Sequence, residues 1–192
     1  MNIGIFGGTF DPPHVGHLIA VECAREILRL DSVRVIPAAV SPHKVGQERS
    51  PAADRLAMVR LAFADCPGYV IDDRELRRAA PSYMVDTLAE LRAEFPRDHL
   101  VLLLGRDNLP EFETWREPER ILAVADVVAM NRPVQENDAG PAGIEGRIKR
   151  LDTPLIDISS SLIRERVREG KNIRHMVPGA VQDYIDRLGL YR

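Results

Sequence analysis

The feature that most limits how this chain can fold is the regular exchange of short apolar runs with segments of helical periodicity. Asn2 to Phe6 reads as a strand, Leu18 to Leu30 as a helix and Val33 to Ile36 as a strand, which is a βαβ opening. The exchange continues with helices at Ala52 to Ala64 and Ser82 to Phe95, a strand at Leu100 to Leu104, a helix near Pro118 to Val124 and a strand at Val127 to Met130. Strands separated by helices pair in parallel, with the crossovers covering both faces of the sheet. The expected fold is therefore α/β, a Rossmann-like, doubly wound and mainly parallel sheet. In the helix at Ser82 to Phe95, Ser82 is the expected N-cap, Val85, Leu88 and Leu91 form the buried stripe, and Pro96 stops the helix.

From Asn131 to Gly146 the composition turns to Pro, Gly, Asn and Asp, an exposed connection between a sheet body at about 1–130 and a small C-terminal helical segment at 155–192. That segment opens with an apolar stretch, Leu155 to Ile158. Two helices follow, Ser160 to Glu169 ending at Gly170, and Gly179 to Leu188 opened by Pro178. A length of 192 residues falls within the range of one domain that buries its own core.

With 45% apolar and 29% charged residues, the chain belongs with soluble globular proteins, not with disordered or membrane ones. The net charge of −3 gives no general attraction to nucleic acid, and Lys and Arg are interleaved with Asp and Glu. Cys23 and Cys66 have no C-x-x-C spacing and are too sparse for a disulfide framework, so a reducing, cytoplasmic setting is expected. The first six residues run straight into a glycine turn, so neither a signal peptide nor a membrane span is expected.

Gly7-Gly8-Thr9 directly follows the first strand, at the carboxyl end of an open α/β sheet where ligands bind. Glycines there let amides approach an anion, and the next helix offers its positive end. The segment is not G-x-G-x-x-G, and Gly-Gly after a strand is as often a tight turn as a ligand cradle. His14 and His17 are three residues apart at the mouth of the first helix, so both imidazoles can face one anion. They could instead be zinc ligands or helix-start residues without function, although His43, His99 and His175 complete no ligand spacing. Ser159-Ser160-Ser161 with Arg164 one turn on makes a second candidate anion site at a helix entrance, with an ordinary serine cap as its competitor.

Taken together, Gly7 to His17 and Ile158 to Arg164 resemble the paired signatures of the H-x-G-H nucleotidyltransferase superfamily. Ser41-Pro42-His43-Lys44, Pro81-Ser82-Tyr83 with Asp86-Thr87-Leu88, and Gly105-Arg106-Asp107-Asn108-Leu109 with Phe112 and Trp115 bring the chain closest to the bacterial nicotinate-mononucleotide adenylyltransferases. The resemblance implies transfer of AMP from ATP to nicotinate mononucleotide, giving deamido-NAD and pyrophosphate, with Mg²⁺ held mainly by phosphates and water. It implies that Gly7, Gly8, Thr9, His14 and His17 hold ATP phosphates, that Lys44 neutralises charge and serves catalysis and acceptor binding, and that Gly105 and Asp107 meet the adenosine ribose. Ser159, Ser160, Ser161 and Arg164 would hold the β- and γ-phosphates. Tyr83, Met84 and Val85 would read the nicotinate carboxylate through backbone groups, and Trp115 would stack on the ring. The partners implied are small molecules, with a homo-oligomer possible. Met84 and Arg116 depart from the family pattern, Met84 standing where Thr is frequent and Arg116 where an aromatic or His is common. Other phosphate acceptors, nicotinamide mononucleotide or phosphopantetheine, and a non-catalytic nucleotide-binding module remain alternatives.

Overall fold

A computed structural model describes residues 1–40, 49–105, 108–109, 111–130 and 147–192. In chain order the elements are β1 (Asn2–Gly8), α1 (Val15–Ile27), β2 (Ser32–Pro37), α2 (Ala52–Ala62), β3 (Tyr69–Ile71), α3 (Arg74–Arg77), α4 (Met84–Glu94) and β4 (His99–Leu104), then a 3₁₀ turn (Phe112–Thr114). They continue with α5 (Pro118–Val124), β5 (Asp126–Met130), β6 (Ile148–Leu151), α6 (Ser160–Arg168) and α7 (Gly179–Leu188). The six strands form one sheet in the order β3-β2-β1-β4-β5-β6, and every pairing is parallel. The expected α/β, doubly wound architecture is therefore present, and the sheet is wholly parallel.

Strand periodicity divides the core between the two faces. Ile3 and Ile5 of β1, with Leu100, Leu102 and Leu104 of β4, pack towards α4 and α5. Phe6, Val101 and Leu103 point the other way, into a cluster that includes Val21 of α1, Met58 of α2 and Ile163, Val181 and Ile185 of α6 and α7. Because both faces are covered, these strands read as continuous apolar runs. The chain reverses direction of travel between β1 and β4, and that switch point opens a crevice at the carboxyl ends of the two strands.

Several expectations need correction. The sheet does not end at Met130, since β6 pairs with β5 at its edge. The C-terminal helices, expected as a small segment after the sheet body, pack into a main core cluster through Ile163, Val181 and Ile185. The first helix starts at Val15, one turn earlier than expected. Ser82 does not cap α4: the N-cap is Tyr83, with no side-chain cap bond, because the Ser82 hydroxyl accepts from the Ala39 amide at 3.1 Å. The short elements β3 and α3 had no counterpart in the sequence reading.

Candidate active site

The switch-point crevice is a cleft of about 1010 Å³, at the upper end of the size usual for small-molecule sites. On one wall lie Gly7, Gly8 and Thr9, with His14 and His17; on another lie Ser159, Ser160, Ser161 and Arg164. Gly105, Tyr83, Met84 and Trp115 line the remaining part. The Val85 side chain does not line the cleft, because it belongs to the core cluster between α4 and the sheet, with Ile3, Ile5 and Leu102. Lys44 and Asp107 lie outside the described residues.

The histidine pair follows from how α1 begins. His14 is the N-cap in extended backbone, φ −138°, and His17 is the third helical residue. The His14 amide donates to His17 Nδ1 at 3.2 Å, which leaves the proton of a neutral His17 on Nε2. The two rings stack with centroids 3.6 Å apart. His17 is held from the other side by Phe10, 5.2 Å away edge to face, and Phe10 also meets Phe6 at 5.4 Å. Phe10 keeps this place despite a left-handed φ of 51°. Such strain persists only where surrounding packing fixes the residue.

Glycines here are set by close approach. A Cβ on Gly8 would lie 2.9 Å from the Phe10 ring, one on Gly7 2.8 Å from Met84 Cε, and one on Gly16 3.0 Å from His14 Nδ1. His14 is buried, and burial depresses its pKa to about 4. Its Nδ1 is shielded from solvent and has no hydrogen-bond partner among the described residues.

The second wall is the entrance of α6. Ser159 is both cap and motif residue, its hydroxyl accepting from the Leu162 amide at 3.1 Å. Ser160 Oγ donates to the Pro12 carbonyl at 2.8 Å. Arg164 donates to the Asp11 carbonyl at 2.8 Å and to Ser161 Oγ at 3.2 Å. The Ser160 hydroxyl and the Arg164 guanidinium thus dock the helix on the loop after β1. The amides of Ser160 and Ser161, in the first turn, are left without intrahelical acceptors and are available to an anion.

Sequence reasoning missed the residues beneath this loop. Arg55 of α2 is 1% exposed and donates to the carbonyls of Ser50 at 3.2 Å, Thr9 at 2.8 Å, Ala38 at 2.7 Å and Ala39 at 3.0 Å. It ties the loops after β1 and β2 together. Buried Asp11 accepts from the Ser50 amide at 3.2 Å and from the Tyr191 hydroxyl at 2.7 Å. Arg49 adds a further cation to the cleft wall. The overlooked signal was Arg55 standing in phase with Met58, Val59 and Ala62 on the buried face of α2. For the rival zinc reading, no group of three or more His, Cys, Asp or Glu side chains suited to a metal occurs among the described residues.

A wholly parallel sheet, a cleft at its switch point and two cationic or donor-rich walls facing that cleft define a nucleotide-handling transferase. The cytidylyltransferase-like family model matches residues 5–166. The chain belongs to this family and, within it, to the nicotinate-nucleotide adenylyltransferases. A protein of Thermomicrobium roseum named "Probable nicotinate-nucleotide adenylyltransferase" is 45% identical over 195 residues, spanning 99% of this chain and 91% of its own length. One of the same name from Thermus thermophilus is 44% identical over 192 residues, spanning 100% of both. Among solved structures, the nicotinic acid mononucleotide adenylyltransferase of Plasmodium falciparum, complexed with NaAD, superposes with a TM-score of 0.77. At 17% identity over 99% of this chain and 97% of that one, it speaks for the fold.

Proposed function

We propose that this protein joins ATP and nicotinate mononucleotide in the switch-point cleft, releasing pyrophosphate and deamido-NAD, a step of NAD biosynthesis. An oxygen of the mononucleotide phosphate attacks the α-phosphorus of ATP. The bond from that phosphorus to the bridging oxygen breaks, and the electron pair leaves with pyrophosphate. The observation that carries this reading is the meeting in one cleft of the His14–His17 pair and the α6 entrance, joined by a contact between residues 153 apart in sequence.

Each residue has a task in that displacement. Gly7, Gly8 and Thr9 bring main-chain groups close to the triphosphate, Gly105 leaves room for the adenosine ribose, and the role assigned to Asp107 is to hydrogen-bond that ribose. His17 donates through Nε2 to a phosphate oxygen, and His14 adds a second imidazole whose affinity for a proton rises beside that anion. The α6 amides and Arg164 hold the β- and γ-phosphates, and Lys44 offsets repulsion between the two phosphorylated substrates. At the other end, the Met84 and Val85 amides, unpaired within α4, face the nicotinate carboxylate, and Trp115 supplies a stacking face. The divalent ion that accompanies ATP is Mg²⁺. The donor set suits an ion held by phosphate oxygens and water, as one that dehydrates reluctantly prefers; it supplies neutralising charge. No covalent nucleophile is needed, because positioning and electrostatics carry such transfers.

The test is chromatography of products after incubation with Mg²⁺ and ATP plus nicotinate mononucleotide, nicotinamide mononucleotide or phosphopantetheine in parallel. A dinucleotide peak strongest with the nicotinate form is expected, and a peak strongest with phosphopantetheine would defeat the reading. His17→Ala should lower kcat by about 10² to 10³, the usual loss for a transition-state donor, with Tm little changed. Undiminished kcat would remove His17 from the mechanism.

A further inference from the structure

We infer that Arg116 sets the preference for an acid over an amide on the acceptor ring. This rests on the acceptor reading above and extends it to a charged residue at the acceptor end of the cleft. Arg116 follows Trp115 at the end of the 3₁₀ turn and lines the cleft. Its guanidinium carbon lies 4.8 Å from the centroid of the Tyr83 ring, and Tyr83 is the N-cap of α4. A positive charge therefore stands beside the helix end whose amides are proposed to face the nicotinate substituent.

The neighbouring charges make that position matter. Asp86, in the first turn of α4, approaches Arg116 at 3.9 Å, and Glu117 approaches at 3.7 Å. Both distances exceed those of a hydrogen bond, so neither carboxylate locks the guanidinium in place. Glu111 and the buried Glu75 also line the cleft. The described acidic residues around this end are thus Glu75, Asp86, Glu111 and Glu117; Arg78 approaches Glu75 at 3.8 Å and Arg120 pairs with Glu117 at 3.2 Å, and Arg116 is the cation that stands over the Tyr83 ring and beside Asp86. Without it, Asp86 would stand at this helix end without the Arg116 charge beside it, and a nicotinate carboxylate would be repelled more strongly. A carboxamide, carrying no net charge, would be nearly indifferent. Surface ion pairs as long as these contribute little to folding, which leaves the fold able to tolerate the substitution that tests the idea.

The test measures kcat/KM for nicotinate and nicotinamide mononucleotides in the native protein, Arg116→Gln and Arg116→Lys. Binding of each mononucleotide is followed separately by quenching of Trp115, the one tryptophan in the sequence. Arg116→Gln should lower kcat/KM for the acid about tenfold, a usual size for losing one partly exposed charge near another, and leave the amide within about twofold. Arg116→Lys should keep most of the acid preference. An unchanged acid-to-amide ratio in Arg116→Gln, or a Lys variant as indifferent as the Gln one, would overturn the inference. If the native protein forms no dinucleotide, the proposed reaction fails, yet the quenching titration still decides this point. Weaker acid binding in Arg116→Gln upholds it, and equal binding, or no binding of either mononucleotide to the native protein, overturns it.

Discussion

His14 is neutral in the free protein at pH 7, because burial draws its pKa down to about 4 from an ordinary 6.5. As pH falls, the unfolded chain takes up this proton before the folded one does. The stability tied to this group is therefore complete above pH 6.5, is lost progressively as pH falls to about 4, and changes no further below that. The full loss amounts to about 3 kcal/mol. Between pH 7.5 and pH 4.5, urea denaturation should show the native protein losing about 2 to 3 kcal/mol more than His14→Gln. Parallel losses in the two proteins would mean that His14 is not buried uncharged. Occupation by a triphosphate should offset part of this pH dependence, because an adjacent anion favours the protonated ring. At this scale the sequence carried the three-residue spacing and hence the shared direction of the imidazoles. Their stacking was not legible, because it depends on α1 starting at Val15 and making His14 the cap. It also depends on Gly16 lacking the Cβ that would press on His14 Nδ1.

Helix α2 shows how one element can organise a site it does not line. Its inward stripe contains Arg55 as well as Met58, Val59 and Ala62, and the guanidinium takes up main-chain carbonyls that leave β1 and β2 without ladder partners. Burial draws the Arg55 pKa down, and the charge of Asp11 works against that. Arg55→Met would fill similar space while taking the guanidinium from four main-chain carbonyls, that of Ala38 in a buried bond and the other three in part-buried ones. A loss of about 1 to 3 kcal/mol is expected, the usual penalty for leaving a buried acceptor unsatisfied, read from urea midpoints. Arg55→Lys should recover part of it, and a Met variant as stable as the native protein would show that water replaces the guanidinium without cost. The legibility of elements followed burial. The strands β1, β2, β4 and β5 were visible because both faces are covered and the runs are apolar. The edge strands were not: β3 has three residues with Val70 42% exposed, and β6 reads Ile-Lys-Arg-Leu, too short and too charged to stand out. Ser82 had the composition of a cap, and tertiary structure gave its hydroxyl to Ala39 instead.

The cleft as a whole exists because the end of the chain folds back on its beginning. Ser160 and Arg164 bind the carbonyls of Pro12 and Asp11, the Val15 amide donates to the Met176 carbonyl at 3.0 Å, and the Tyr191 hydroxyl reaches Asp11 Oδ1. Both motifs proposed to face phosphate were legible separately. Their mutual placement was not, because it depends on side-chain to main-chain contacts between distant segments that no local periodicity encodes. Of these contacts, Tyr191 to Asp11 can be removed most cleanly, since Asp11 is 3% exposed and the hydroxyl is the single atom deleted in Tyr191→Phe. Burial, with the Asp11 charge next, holds the Tyr191 hydroxyl far above its ordinary pKa, so it is a donor at every working pH. Its loss leaves one oxygen of a buried carboxylate without that donor, a cost of about 1 to 3 kcal/mol. Because Asp11 lies in the loop that carries the groups proposed to face the triphosphate, the variant should also raise KM for ATP while leaving quenching of Trp115 by the acceptor unchanged. Thermal unfolding with and without a non-hydrolysable ATP analogue separates the two effects. The variant should have a lower Tm and a smaller ligand-induced rise, since stabilisation by ligand grows with the ratio of its concentration to Kd. An unchanged rise at lowered Tm would mean that the C-terminal contact stabilises the fold without shaping the nucleotide end of the cleft.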